Sequence, residues 1–214
     1  MEKHHSCLNT RAIIEYFRVH HAECLPELIA GLSPEIEDLA EPVEFLTETN
    51  NWVSSDVVIQ LFENARRLAG DPEIAFKIGF ASAAGRKFSY VQRILLAAYG
   101  SPRRSLRRAQ QINDRFNRNK RVELVTTTRD TGVVRLHWDP YIPAVEDFCR
   151  FNRGIYIGIP TLWSLPPAVL DEPKCHFRGD PYCEYHLQWL KRFSLRDTLL
   201  NTLLPWRALN STIA

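Results

Sequence analysis

The sequence predicts an α+β fold in which N-terminal helices precede an antiparallel sheet. Apolar residues recur at helical spacing through the first half of the chain, whereas the second half carries β-rich runs, the last of which alternates in polarity. Because helices and strands are segregated along the chain, the class is α+β. We predict one sensory domain over 1–192, with a mainly helical part (9–120) and a cysteine-containing part (121–192). An amphipathic tail or linker helix follows over 193–214.

Five helices are predicted in the first half from cap and stop residues. Their starts are predicted at Asn9 or Thr10, Ser54, Asp71, about residue 89, and Ser101. The first helix is expected to run to about Ala30 with a break at Pro26, and the second to stop at Gly70. The fifth is a basic helix that spans about 102–121.

Two hairpins are predicted in the second half. Their strands are expected over 122–128, 133–138, 168–177 and 182–189. A helix from Pro143 to about Trp163 lies between the hairpins and carries Cys149. In the last strand, Cys183 and Tyr185 share one face, whereas Glu184 and His186 share the other.

The composition and the N-terminal residues favour a reduced compartment. No stretch approaches the ~18 uninterrupted apolar residues of a membrane span. Residues 1–7 lack the apolar core of a secretory signal. We therefore expect a cytoplasmic protein with no membrane partner, whose thiols stay reduced. Five cysteines are an odd number and too few for a disulfide scaffold in 214 residues.

Positive charge is concentrated in one segment. From Arg86 to Arg121 there are eleven Lys or Arg residues and one acid, Asp114, while the remainder of the chain is acidic. On a helix, these basic residues could form a face that contacts nucleic-acid phosphates, but the sequence contains no DNA-reading motif. We favour a solvated face, or one that docks on the protein's own acidic remainder or on a partner subunit.

Three cysteines and one glutamate form the most informative pattern of the chain: Cys149, Glu172, Cys175 and Cys183. Cys175 and Cys183 flank a Gly-Asp-Pro turn, and facing strand positions have Cβ atoms roughly 5 Å apart. That separation suits two thiolates on one metal ion and also a disulfide. The reduced compartment and the odd cysteine count favour the metal.

Strand alternation selects the fourth ligand. His176 and His186 fall on the faces opposite the neighbouring cysteines, which makes Glu172, three residues before Cys175, the better candidate. Three thiolates and one carboxylate would close a tetrahedral site without an open position, so we predict a structural zinc that pins the hairpin to the Cys149 helix. The alternative is a set of buried cysteines without metal.

The pattern Cys149…Glu172-x2-Cys175-x3-Gly179-Asp180-x2-Cys183 resembles the 4-vinyl-reductase-type small-molecule-binding domain. In that family, sensor domains of phenol-responsive bacterial transcription activators bind structural zinc through three cysteines and a glutamate at this spacing. The motif covers roughly the last quarter of the chain, and segment 50–72 is similar to sensory modules of bacterial signalling proteins. The wider fold group includes haem-based nitric-oxide sensors and vesicle-tethering subunits. The resemblance implies a ligand pocket beside the zinc.

Four residues are candidates for contact with a ligand: His137, Trp138, Tyr156 and Trp163. The phenol sensors hold the phenol hydroxyl with a His and a Trp upstream of the first zinc cysteine. Here His137 and Trp138 are adjacent, so a phenol specificity is not transferred. The aromatic residues of the second half suit an apolar pocket between the Cys149 helix and the sheet. The Gly154 and Gly158 spacing predicts close helix packing.

Neither catalysis nor haem binding is favoured by the sequence. No Ser-His-Asp or Cys-His grouping is legible, and we expect no enzymatic activity. A haem would need an axial histidine in a buried helix. The formal options are His20, His21 and His137, and none lies in an apolar stripe.

These observations predict a ligand-binding sensory or regulatory domain of a bacterial signalling or transcription-regulatory protein. Its expected partners are a small apolar or aromatic organic molecule, a second copy in a homodimer, and an output domain reached through the leucine-rich segment 193–214. Nucleic acid is not expected to bind this region. The alternatives are an accessory protein of (bacterio)chlorophyll or other tetrapyrrole biosynthesis, and a non-enzymatic assembly subunit.

Overall fold

The structure is a computed structural model that describes residues 2–84 and 100–189. Its helices are α1 Cys7–His20, α2 Leu25–Leu28, α3 Pro34–Glu37, α4 Pro42–Thr47, α5 Ser55–Ala69, α6 Ile74–Ala84, α7 Pro102–Leu106, α8 Ala109–Asp114 and α9 Glu146–Gly158. Its strands are β1 His5–Ser6, β2 Trp52–Val53, β3 Lys120–Thr127, β4 Thr131–Trp138, β5 Val169–Lys174 and β6 Cys183–Gln188. Helices dominate the first half and the main sheet the second, so the predicted α+β class is confirmed.

The main sheet has four antiparallel strands in the order β3-β4-β6-β5. The first hairpin is therefore as predicted, and Cys183 of β6 lies opposite Leu136 of β4. Cys183, Tyr185 and Leu187 of β6 are buried, as strand alternation predicts, and Glu184 on the other face is also buried, at 8% exposure. Near the N-terminus, β1 and β2 form a second, two-stranded sheet in which His5 lies opposite Val53.

The first helix begins earlier and ends sooner than predicted. The cap is Ser6, whose Oγ accepts a hydrogen bond from the Leu8 backbone N–H at 3.2 Å, and not Asn9 or Thr10. The helix stops at His20 because His21 leaves the helical region, with φ −148° and ψ 49°, and Pro26 lies in the first turn of the next helix, α2. The second helix is as predicted and ends at Gly70, which takes the left-handed conformation with φ 60°.

The predicted basic helix over 102–121 is also corrected. It is divided into α7 and α8, with Arg107 and Arg108 at the break. Arginines four residues apart would face each other on one continuous helix, and like charges at that spacing destabilise it. The predicted helix at 89–99 and the predicted tail helix at 193–214 lie outside the described residues.

The second hairpin is looser than the tight turn we predicted. A 3-10 turn over His176–Arg178 and Gly179 at φ 99° follow β5. The Asp180 carboxylate accepts the Cys175 backbone N–H at 2.8 Å, which holds this longer connection in place. The ladder is also interrupted between Asp171 and Lys174, where Pro173 has no N–H to donate. The helix predicted over 143–163 is shorter in the structure. It forms α9, and a 3-10 turn over Ile159–Trp163 follows.

Helices α6 and α9 pack backbone to backbone. A Cβ atom placed on Gly154 would overlap the carbonyl oxygen of Phe76, and one on Gly79 would overlap that of Phe151. A Cβ on Gly158 would lie 2.8 Å from the Ala83 Cβ. This contact fixes α9, which carries Cys149 to the face of the sheet. Among the described residues, no helix combines the length and apolarity that a bilayer crossing requires.

Candidate functional site

The four residues singled out by spacing lie together at the junction of α9 and the second hairpin. The ligand atoms of Cys149, Glu172, Cys175 and Cys183 are all within 4.8 Å of one another. We call this set the thiol cluster. Cys149 comes from α9, Cys183 from the start of β6, and the other two from β5 and the residue after it. All three cysteines are buried with free thiols.

Hydrogen bonds connect the members of the thiol cluster. The Cys149 thiol donates to the Glu172 carboxylate at 3.0 Å, and its Sγ lies 3.8 Å from that of Cys175. The Cys183 and Cys175 sulfurs are 3.9 Å apart. The Glu172 side chain is only 7% exposed, and two guanidinium groups lie 3.8–3.9 Å from its second oxygen, those of Arg153 and Arg178. The buried carboxylate is therefore flanked by two cations, at distances of 3.8 and 3.9 Å.

The surroundings of the Cys183 sulfur favour its thiolate form. The neighbouring Cys149 thiol lowers the pKa of Cys183, and so do hydrogen bonds that its sulfur accepts from the Trp138 indole N–H and the His176 backbone N–H. In contrast, the neighbouring Cys183 sulfur and burial raise the pKa of Cys149, and burial raises the pKa of Cys175. The set thus provides soft sulfur donors and one carboxylate, a combination that could hold a metal ion.

The histidines near the cluster are not part of it. His186 bonds to Glu184 at 2.9 Å on the other face of β6, and His176 is exposed. This placement agrees with the strand alternation used to set them aside.

The four predicted ligand-contact residues lie in different places. His137 bonds to Glu123 at 2.7 Å on a partly exposed face of the sheet. Trp138 lies against the thiol cluster, and Tyr156 packs edge-on against Tyr185 with ring centroids 5.5 Å apart. Trp163 lines a separate groove described below. Of the four predicted residues, only Trp163 lines this groove.

A small polar cavity lies between the helical half and the sheet, and the sequence did not reveal it. Its volume is about 40 Å³, and its lining includes five polar side chains among phenylalanine rings. These are His5, Asn9, Asn117, Lys120 and Asn152. We call it the inner cavity. No motif joins these residues, because they come together only when β1 pairs with β2 and α9 packs on the helices.

The polar groups of the inner cavity are strongly perturbed by burial. His5 is 3% exposed, and burial lowers its pKa from 6.5 to about 3. Its Nε2 is hydrogen bonded to the Ser55 hydroxyl at 3.1 Å. Lys120 is partly exposed as a residue, but burial of its amine lowers the pKa to about 7. The inner cavity therefore favours uncharged forms of both bases.

Solved structures resemble the chain over most of its length. They include the Fe(II) unliganded H-NOX protein from K. algicida, at 10% identity over 88% of this chain and 98% of that chain, with a TM-score of 0.63. They also include an H-NOX protein from S. oneidensis in the Fe(II)NO ligation state, at 11% identity over 84% and 99%, with a TM-score of 0.60. A third is an oxygen-binding H-NOX domain related to soluble guanylate cyclases, at 10% identity over 86% and 94%, with a TM-score of 0.57.

These likenesses show that the chain has the H-NOX fold. No protein-family model matches the sequence, and no curated protein matches it. The expected membership of the fold group that includes nitric-oxide sensors is therefore confirmed at the level of the fold, whereas the neighbours are not 4-vinyl reductases.

The predicted zinc cofactor is wrong by this comparison. The structures that share the fold are described in Fe(II), Fe(II)NO and oxygen-complexed states, so the metal associated with the fold is iron at a gas-binding centre. The prediction came from the thiol cluster, whose donors do lie together, but their proximity does not identify the cofactor of the domain.

The fold family implies a haem, and the residues that the structure describes do not fit one. All seven histidines lie in the described residues, and only His5 among them is buried. Its Nε2 is already bound to Ser55, and the cavity beside it measures about 40 Å³. Pockets that take drug-sized molecules are roughly 300–1,000 Å³. The inner cavity is therefore too small for a haem. The described residues also offer no buried histidine that is free to ligate its iron.

Proposed function

We propose that this chain is a ligand-binding sensory or regulatory domain whose ligand is a small organic molecule bound directly by the protein. The observation that carries the proposal is the H-NOX fold, which spans 94–99% of each of the three solved chains described above. Those proteins are described with bound nitric oxide or oxygen, or as related to soluble guanylate cyclases. Recognition of a small molecule is thus the activity that the fold supports best.

Because the described residues do not fit a haem, we propose an organic ligand and not a diatomic gas. Without a haem, a diatomic gas has no metal to bind at His5, and the protein itself must supply the contacts. An organic molecule can obtain enough binding energy from apolar and polar side chains in a groove. We propose no catalytic step, and the domain acts by binding.

The signal would arise by population shift. A ligand that binds one packing of the domain better than another increases the population of that packing, by no more than its difference in affinity. The rigid contact between α6 and α9 links the inner cavity to the thiol cluster, because α9 lines the first and supplies Cys149 to the second. A change in the position of α9 would therefore reach the end of the sheet.

We also propose that the thiol cluster is a metal-binding centre. Its four donors, three sulfurs and one carboxylate, all come from the protein and lie within 4.8 Å of one another. A metal there would join α9 to the second hairpin, and its binding would add to the stability of the fold.

Native mass spectrometry of the whole 214-residue chain, purified without added ligand, tests the function. We expect a retained organic molecule and no haem, together with the oligomeric state. A stoichiometric haem or other tetrapyrrole would contradict the proposal and favour a gas sensor or a tetrapyrrole-related role. Elemental analysis for all transition metals, on wild type and on Cys183→Ser, tests the metal centre. We expect one metal ion per chain that is lost in the variant.

A further inference from the structure

An open groove of about 440 Å³ lies between α7, the 3-10 turn after α9, and the turn that joins β3 to β4. Four arginines line it: Arg103, Arg104, Arg107 and Arg129. Two indole rings, Trp163 and Trp189, and Leu165 supply its apolar surface. We call it the arginine groove. Its volume lies within the range of small-molecule pockets, roughly 300–1,000 Å³.

No described residue neutralises the positive charge of the arginine groove. None of its lining residues is acidic. In the described part of the chain, none of the four guanidinium groups forms an ion pair, although thirteen such pairs involve other residues. Cations collected around a concave surface attract anions more strongly than isolated surface cations do.

Two buried donors at the groove have no acceptor. The indole N–H of Trp163 and the Nε–H of Arg103 are both buried without a hydrogen-bond partner. Trp163 itself is 8% exposed. Leaving a buried donor without an acceptor is costly, so such groups are rare in folded proteins. Two of them on one groove, beside cations that no described carboxylate pairs with, point to an acceptor supplied by a ligand.

The walls of the groove are held in place from outside it. The Trp189 indole N–H donates to the Arg129 carbonyl oxygen at 3.1 Å, which fixes the turn between β3 and β4. On α7, the Leu106 side chain packs so closely on β4 that a Cβ on Gly132 would overlap it. The Ser101 hydroxyl caps α7 by accepting the Arg104 backbone N–H at 3.3 Å. These contacts position the arginines before any ligand arrives, which lowers the entropic cost of binding.

From these observations we infer that the arginine groove is the ligand site of the domain and that it binds a small organic anion. The ligand carries a carboxylate or phosphate group, which the guanidinium groups and the two orphan donors receive, on an apolar body that lies against Trp163 and Trp189. Guanidinium groups bind both kinds of oxyanion in a two-point geometry. This inference rests on the proposed function, because it names the ligand class of the proposed sensor.

Isothermal titration calorimetry on the whole chain tests the groove with three probes of one shape: 2-naphthoate, 2-naphthyl phosphate and neutral 2-naphthamide. We expect the two anions to bind at least about tenfold more tightly than the amide, since a charge-assisted hydrogen bond contributes roughly 1.5–3 kcal/mol. Preference for one anion over the other identifies the oxyanion. Added salt is expected to weaken the binding of the anions more than that of the amide.

Matched variants locate the site. Arg103→Gln and Arg107→Gln should each weaken anion binding by about tenfold. Arg115→Gln serves as the control, because Arg115 is exposed and lies outside the groove lining. It should change the affinity by less than about twofold. Circular dichroism establishes that all three variants are folded. Equal losses in Arg103→Gln and Arg115→Gln would show non-specific attraction and overturn the inference.

The outcomes separate this inference from the proposed function. If the neutral amide binds as tightly as the anions, or if the groove variants leave anion binding unchanged, the anion site is wrong while small-molecule binding stands. If no probe binds and the purified chain retains no small molecule, the proposed function itself fails.

Discussion

The inner cavity and the arginine groove are both concave and polar, but they differ in how their polar groups are satisfied. In the inner cavity, His5 bonds to Ser55, Asn9 bonds to Asn117, and Asn152 bonds to the Phe148 carbonyl oxygen. In the arginine groove, four cations lack a carboxylate and two buried donors lack an acceptor. The three side chains of the inner cavity thus find their hydrogen-bond partners within the protein. In the described part of the chain, the cations and the two donors of the arginine groove do not find theirs.

This difference separates a structural feature from a binding site within one fold. A polar group that folding buries must find a partner, and the protein itself supplies one for each of the three side chains just named. Residues at a binding site keep hydrogen-bonding capacity for the ligand and reduce the stability of the free protein in return. Predictions that concern the two sites should therefore differ in kind: changes at the inner cavity affect stability, and changes at the groove affect binding.

The largest expected effect concerns the protonation of His5. Its pKa in the folded state is about 3, compared with an ordinary value of 6.5. The folded state therefore favours the neutral ring, so stability is unaffected above pH 6.5 and decreases as the pH falls from 6.5 towards 3. The slope should approach about 1.4 kcal/mol per pH unit, or roughly 5 kcal/mol over the whole window. Urea denaturation at several pH values measures it.

The control for this prediction is a pair of variants. His5→Gln cannot take up the proton, so its stability should depend less on pH between 3 and 6.5 than that of wild type. His20→Gln alters an exposed histidine and should keep the wild-type dependence. A wild-type slope in His5→Gln would show that other groups cause the acid sensitivity, and the inner cavity would lose its special status.

Gly154→Ala tests whether close packing of α6 and α9 holds both the inner cavity and the thiol cluster. The new methyl group would overlap the Phe76 carbonyl oxygen, and a backbone atom cannot rotate away. We expect a loss of about 3 kcal/mol in the free energy of unfolding, at the upper end of the range for overpacked cores. Gly70→Ala is the control: its Cβ meets nothing within 4 Å, so only backbone strain of about 1 kcal/mol is expected. Similar losses in the two variants would contradict the close contact.

The thiol cluster was accessible from the sequence, and the arginine groove was not. Strand alternation around Cys183 and the position of Glu172 before Cys175 are local patterns, and a predicted helix supplied Cys149. The groove instead depends on Trp189 holding the Arg129 turn, a contact between residues 60 positions apart. It also depends on the division of the basic segment into α7 and α8, whereas the sequence predicted one continuous helix. The inner cavity was not predicted either. It forms where β1 pairs with β2, and β1 is only two residues long, so the sequence shows no strand pattern there.

The smallest effect compares two tryptophans that are equally buried, at 8% exposure each. The Trp138 N–H donates to the Cys183 sulfur at 3.4 Å, whereas the Trp163 N–H has no acceptor. Replacement of either by Phe removes the same ring volume, but only Trp138→Phe also removes a hydrogen bond. We expect Trp138→Phe to lose about 1 kcal/mol more than Trp163→Phe in urea denaturation of the ligand-free chain. An equal or larger loss in Trp163→Phe would mean that its N–H is satisfied in the free protein. The arginine groove would then keep its charge but lose the orphan indole donor.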